Sequence, residues 1–395
     1  MATGRLDMTL AQTTGLVQFS GAGTKYIVET PTGVLYIVYV DTGSDVAFKK
    51  STDGGYTWSA PTVVFAGTVT SLSIWYDRWS DIAAGLIHCA YTESATDDTL
   101  YRTIDTESSD ALSTQTVIFA GTSTAAGDHL SITRARGGNV YCKTMIDAGA
   151  EGGFYRLPNA NVPNGAWDAA RTVNEALATQ DMIILVPGFA ADNQDIMAIF
   201  WDVSANEISR QIYDDSANSW SETSISTGMV EQVAATSFPH FGVAVDIANS
   251  QIVLVAWNGI DTANQDLLGW TVTESAITAF TTPVVSNATD DCGLCGIGIH
   301  TPTGAWYVVY AGISTGGETW LTSVNLYYKV STDAGATWGP ETKLTNEPAD
   351  ITWLATAPRF DGRFVVAYHS DIALDELKIN VPLPRAARAT FQLGM

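Results

Sequence analysis

Ser51-Thr-Asp-Gly-Gly-Tyr-Thr-Trp-Ser-Ala60 and Ser331-Thr-Asp-Ala-Gly-Ala-Thr-Trp-Gly-Pro340 are one phrase written twice, 280 residues apart. Ser51, Asp53, Gly55, Thr57 and Trp58 correspond to Ser331, Asp333, Gly335, Thr337 and Trp338. The residue types fit a tight hairpin turn. Asp53 can accept hydrogen bonds from backbone N–H groups two residues on, and Gly55 can take the positive φ that such a turn needs. Trp58 then offers a large apolar surface where the chain re-enters a strand, which suits it to the space between neighbouring sheets.

Working outward, aromatic or aliphatic residues ahead of a short outer-strand run recur at Trp58, Leu112, Trp167, Trp220, Phe280 and Trp338. Five intervals cover 280 residues, a period of 56. The runs that follow are Val63-Val-Phe-Ala-Gly67, Val117-Ile-Phe-Ala-Gly121, Thr172-Val-Asn174, Ser224-Ile-Ser226, Pro283-Val-Val-Ser286 and Thr342-Lys-Leu-Thr345. A fixed period of this length signals a repeat architecture, and 395 residues hold seven such units with the last incomplete.

Within a unit the chain reads strand after strand. Val34–Val40 and Asp45–Lys50 precede the first turn, and Gly304–Tyr310 and Val324–Val330 fill the same slots before the second. Further β-branched and aromatic runs stand at Gly85–Tyr91, Asp195–Trp201, Gln251–Trp257 and Gly362–Tyr368. No segment shows a long 3.6-residue periodicity. The seventh unit has strands near Ile351–Ala355, Arg363–Tyr368 and Leu377–Val381 and lacks an outer one, which the stretch Leu10–Phe19 could supply.

The repeated phrase resembles the Asp-box, or BNR repeat, of sialidase-like β-propellers. The resemblance implies an all-β propeller of four-stranded antiparallel blades. Seven blades fit the period, and six is the alternative if one weak unit is an insertion. The expected organisation is one propeller over residues 1–384, with residues 1–25 as the closing strand and a tail over 385–395. In the family the boxes sit at the outer rim, between the third and fourth strands, so Ser51 to Trp58 and Ser331 to Trp338 are read as structural.

The family clamps its substrate carboxylate with three arginines, because planar guanidinium groups meet carboxylates bidentately. It also uses a Tyr/Glu nucleophile pair and an Asp acid/base. Its first arginine lies in a Tyr/Phe-Arg-Ile-Pro motif on the inner strand of the first blade, where this chain has Lys25-Tyr-Ile-Val-Glu-Thr-Pro31 and no arginine. None of the family's catalytic residues is therefore carried over. The enzyme question leans to no. Another glycosidase would need two facing carboxylates, which sequence alone does not locate among 42 acidic residues. Gly312-Ile-Ser-Thr-Gly316 matches the G-x-S-x-G spacing but sits in a loop between strands, not on a strand-to-helix elbow.

Nineteen basic against 42 acidic residues give a net charge of −23, a field that opposes nucleic acid and anionic membranes. No apolar stretch approaches the ~20 residues of a membrane helix. Asp97-Asp98, Asp214-Asp215 and Asp290-Asp291 lack an ordered cation-loop pattern. Cys292-Gly-Leu-Cys295 has ligand spacing without a second pair, since Cys89 and Cys142 stand alone. No metal or cofactor is expected.

One cluster suits a ligand. In Ser73-Ile-Trp-Tyr-Asp-Arg-Trp-Ser-Asp81, strand alternation puts Trp75, Asp77 and Trp79 on one face and Tyr76 and Arg78 on the other, rings beside charges as a sugar surface uses them. The alternative is that the tryptophans pack between blades and Arg78 pairs with a neighbouring Asp. The tail carries Arg385, Arg388 and Phe391, a candidate partner contact on an otherwise acidic chain. No secretory signal is visible at the N-terminus. The expectation is a non-enzymatic interaction module among other protein subunits, a tail-associated or decoration component of a bacteriophage virion. The alternatives are a surface-glycan adhesin and a glycoside hydrolase.

Overall fold

The computed structural model describes residues 7–12, 26–78, 85–121, 129–145, 152–174, 181–191, 193–229, 241–258, 265–287, 294–311, 325–347, 351–370 and 376–380. Seven sheets, antiparallel within each blade, follow one another along the chain as the blades of a β-propeller, and one two-residue strand is added in parallel at the inner edge of the sixth. The period of 56 and the choice of seven over six both hold.

The middle strands explain the architecture. Leu35–Val40 is buried at every position, and Ile196–Asp202, Gln251–Trp257 and Ala305–Ala311 are nearly so. A sheet with one wet face would alternate apolar and polar residues. A blade packed on both sides by other blades reads as a continuous apolar run. The core therefore lies between blades. Tyr36, Trp353 and Leu72 share one cluster spanning the seventh, first and second blades, while Val255, Trp306 and Tyr310 share another between the fifth and sixth.

The inner strands are Ile27–Glu29, Val69–Tyr76, His129–Arg134, Met182–Pro187, Phe241–Asp246, Cys295–His300 and Ile351–Thr356. Each pairs with the next strand of its own blade, and their C-terminal ends emerge on one face. The turns between third and fourth strands open on that same face, because the chain reverses twice between them.

Ring closure uses the N-terminus. Asp7–Gln12 pairs antiparallel with Glu376–Asn380 as the outer strand of the seventh blade. The closing strand thus begins earlier than the stretch Leu10–Phe19, and residues 13–25 lie outside the described residues. Two other edges depart from expectation. Thr172–Asn174 forms no strand, and the fourth position of the third blade is a single bridge between Phe154 and Arg171. Arg171 turns instead to Tyr213 and Asp215 of the fourth blade. Arg359–Phe360, which the sequence does not announce, adds in parallel to the inner edge of the sixth blade opposite Ile299 and His300.

Both decapeptides fold alike. Ser51 Oγ donates to Asp53 (2.8 Å) and accepts from Gly55 N (2.8 Å), while Asp53 accepts from Thr57 N (2.9 Å) and Thr57 Oγ1 (2.6 Å). Ser331, Asp333, Gly335 and Thr337 repeat the set. The carboxylate therefore reaches four residues on and not two, because Ser51 already serves the nearer N–H. Gly55 and Gly335 have φ of 94° and 81°, as the turn requires.

Candidate functional site

Two cavities open on the face where the inner strands end. The first is axial, about 60 Å³, with Ile27, Ile74, Ile184, Val186, Val243 and Val245 as its walls and Glu29, Trp75, Tyr76, Arg78 and Arg359 at its mouth. A buried water needs about 10–15 Å³ of such volume, so the cavity holds a few waters.

Of the ligand candidates from sequence, Trp75, Tyr76 and Arg78 do come to this cavity. The faces follow the alternation even past the strand end at Tyr76, with Trp75 and Asp77 on the third-blade side and Tyr76 and Arg78 on the side of the first and seventh blades. Trp75 packs towards the third and fourth blades and Tyr76 towards the first. Asp77 turns inward to Arg134 at 3.2 Å, their side chains 1% and 2% exposed. Trp79, Arg385, Arg388 and Phe391 lie outside the described residues, as do Gly312–Gly316, Cys292, Asp290 and Asp291.

Of the charged groups at the mouth, Arg78 and Asp361 bond each other while Glu29 and Arg359 bond backbone and hydroxyl groups, and Arg78 Nη1 and Asp361 Oδ1 are buried without a partner. Glu29 ends the inner strand of the first blade, in the segment that corresponds to the Tyr/Phe-Arg-Ile-Pro motif. It accepts backbone N–H groups of Asp361 (2.9 Å) and Gly362 (3.1 Å). Burial pushes its carboxyl up, against those hydrogen bonds. Arg78 bonds the Asp361 carboxylate. Burial opposes ionisation of Asp361, but the bonds from Arg78 and Thr301 and the charges of Arg78 and Arg359 outweigh it and hold the carboxyl low. Arg359 donates to Thr301 Oγ1 at 3.0 Å. Asp246, nearby, is held by Asn249 and Gln251. Two guanidinium groups and two carboxylates thus join the first, second and seventh blades.

The second cavity is a groove of about 480 Å³ between the sixth and seventh blades. Tyr307 and Tyr328, on adjacent strands of the sixth blade, stack at 6.5 Å and 15° on the face turned to the seventh. Phe360 and Phe364 form a buried floor, and Trp338, Thr337 and Thr342 close one side. Arg363 lies at the other end, its guanidinium 4.2 Å over the ring of Tyr56 from the first decapeptide. The segment Arg359–Phe360 is the partition, with Arg359 lining the axial cavity and Phe360 the groove. Of the groove residues, those of the second decapeptide and Thr342 were marked in the sequence only as turn and outer-strand residues. Tyr307 and Tyr328 sit in runs that read as core.

Among the described residues no group of three His, Cys, Asp or Glu side chains could hold a metal ion. Cys89, Cys142 and Cys295 are buried, and burial raises the thiols of Cys89 and Cys295. Asp214 caps its own turn, and Asp215 pairs with Arg156 and Arg171. No described helix is long and apolar enough to cross a membrane.

No protein-family model matches the sequence, and no curated protein does. Solved structures do resemble the fold. BBS1N in complex with ARL6DN aligns over 97% of this chain and 97% of its own, with 10% identity and a TM-score of 0.55. A polysaccharide lyase, ulvan lyase, bound to GlcA(1-4)Rha3S, aligns over 94% and 95%, with 11% identity and a TM-score of 0.52. A Trypanosoma rangeli sialidase in complex with sialic acid is covered over 59% of its length by 97% of this chain, with 11% identity and a TM-score of 0.47. At such identities the first two likenesses carry the propeller architecture alone.

Proposed function

We propose that this protein is a non-enzymatic β-propeller that serves as a recognition module, meeting its partner on the face where the inner strands end and the two decapeptide turns open. One observation carries the reading. The axial cavity, at about 60 Å³, falls well below the roughly 300–1,000 Å³ of pockets that enclose small-molecule ligands, and the bonds that Glu29 and Arg78 make at its rim join blades. Glu29 and Asp361 face each other across the ring closure, where both Glu29 oxygens are engaged by backbone N–H groups.

A hydrolase reading would start from the same two carboxyls, since their environments push them apart, Glu29 up and Asp361 down, as an acid and a base require. The deciding assay is turnover of fluorogenic glycosides and a pool of neutral and acidic polysaccharides. The recognition reading expects no release of reducing ends or unsaturated products. Turnover by the wild-type chain that disappears in Glu29→Gln would replace it with the hydrolase reading.

A further inference from the structure

We propose that the groove between the sixth and seventh blades binds an acidic pyranose, a uronic acid or a sulfated sugar. The proposal rests on the recognition reading and gives it a site and a ligand class. About 480 Å³ is room for one or two sugar rings. Tyr328 and Tyr307 are half-buried and nearly parallel, so they present flat apolar surface at the opening. Such faces suit the C–H face of a pyranose, as they suit other rings.

Two side chains that line the groove carry a buried polar atom without a partner. The indole N–H of Trp338 is shielded from solvent and meets no acceptor. Its counterpart in the first decapeptide, Trp58, donates to Gly55 O at 3.0 Å. The two turns are otherwise alike, so the free donor is specific to the copy that lines the groove. A buried donor without an acceptor is costly, and a ligand hydroxyl reaches this one only if the Trp338 ring turns towards the groove.

The second group is Arg363. Its Nη1 is likewise shielded and without a partner, and no carboxylate among the described residues pairs with it. Tyr56 fixes the guanidinium plane from the first blade. Arg102, Arg210 and Arg359 likewise go without a carboxylate and bond carbonyl or hydroxyl oxygens, and of these four arginines Arg363 is the one that lines the groove. Its guanidinium matches a carboxylate or sulfate in geometry as well as sign. The two decapeptides therefore flank the seventh blade and both reach the site, one by lining it through Trp338 and the other by bracing Arg363 through Tyr56.

The test is titration calorimetry of the full chain with three probes at fixed ionic strength: trigalacturonate, a sulfated disaccharide and neutral cellotriose. Saturable binding of an acidic probe, at least about tenfold tighter than cellotriose, is expected, and the two acidic arms separate carboxylate from sulfate recognition. Arg363→Gln should weaken the acidic probe by tenfold or more and remove its salt dependence. Tyr328→Leu should weaken it severalfold with the salt dependence kept. Thermal unfolding verifies that both variants are folded. Equal affinity for cellotriose, wild-type affinity in both variants, or no binding of any probe overturns the proposal. Turnover of a probe overturns the non-enzymatic reading instead, and the Arg363→Gln result then still decides the groove.

Discussion

Glu29 accepts the backbone N–H of Asp361 at 2.9 Å across 332 residues of sequence, joining the inner strand of the first blade to the segment that follows the inner strand of the seventh. This is a second closure of the ring, on the axis, beside the outer closure between Asp7–Gln12 and Glu376–Asn380.

Replacing Glu29 should open that inner closure. Glu29 is 4% exposed and its carboxylate takes two backbone donors, so Glu29→Ala is expected to cost about 2–3 kcal/mol in urea unfolding. Glu29→Gln, which keeps one acceptor, should cost less. Burial raises the folded carboxyl, so its contribution is greatest below the unfolded value of about 4.3 and is lost as pH rises through the raised folded value. The wild-type minus Glu29→Gln stability difference should therefore fall as pH increases across that window.

The turn aspartates behave oppositely. Hydrogen bonds from Thr57 hold Asp53 down to about 2, and those from Thr337 lower Asp333. Their contribution is complete above the unfolded value and is lost as pH falls towards 2. The double variant Asp53→Asn, Asp333→Asn should unfold at lower temperature at pH 6 and lose stability less steeply between pH 4 and 2, which a series of thermal melts measures.

Ala334 has φ of 55° where the first copy has Gly54 at 73°. A left-handed alanine costs about 1–2 kcal/mol, partly offset by the greater unfolded-state freedom of glycine. Ala334→Gly should stabilise by up to about 1 kcal/mol. Gly335→Ala should destabilise more than Gly54→Ala, because its Cβ would come 2.9 Å from Trp306 as well as at positive φ. Urea midpoints of the three variants give the order.

The Asp77–Arg134 pair is buried, and Arg134 also donates to Gly138 O and Asn159 Oδ1 at 3.0 Å. Asp77→Asn leaves a guanidinium in the interior and is expected to cost about 3–5 kcal/mol. Replacing both partners, Asp77→Leu with Arg134→Met, should cost less than Asp77→Asn alone, and a double-mutant cycle in urea reads the difference.

Blade number was legible because each blade repeats one packing problem, so Trp58, Leu112, Trp167, Trp220, Phe280 and Trp338 recur at a near-constant period. The groove was not. Tyr307 and Tyr328 belong to runs whose other members, Trp306 and Tyr327, are buried against the fifth blade, and periodicity does not tell which blade-to-blade gap is filled and which is left wide. Arg363 sits at the start of a stretch that read as a strand, yet the strand begins at Val366, which frees Arg363 to reach Tyr56. Trp75 to Arg78 were legible as a group with the right faces, but alternation does not tell that Asp77 is taken up by Arg134 and Arg78 by Asp361.

The pairing of Asp7–Gln12 with Glu376–Asn380 also sets an order of events during synthesis. The segment leaves the ribosome long before its partner strand exists, and at about 5–20 residues per second the wait is on the order of tens of seconds. During that interval six blades can assemble in turn while the seventh position stays open and the Asp7–Gln12 backbone donors face water or a chaperone. A permuted chain cut between the sixth and seventh blades, with the present termini joined, would make the outer strand and its partner in quick succession and should need less help to reach the closed ring.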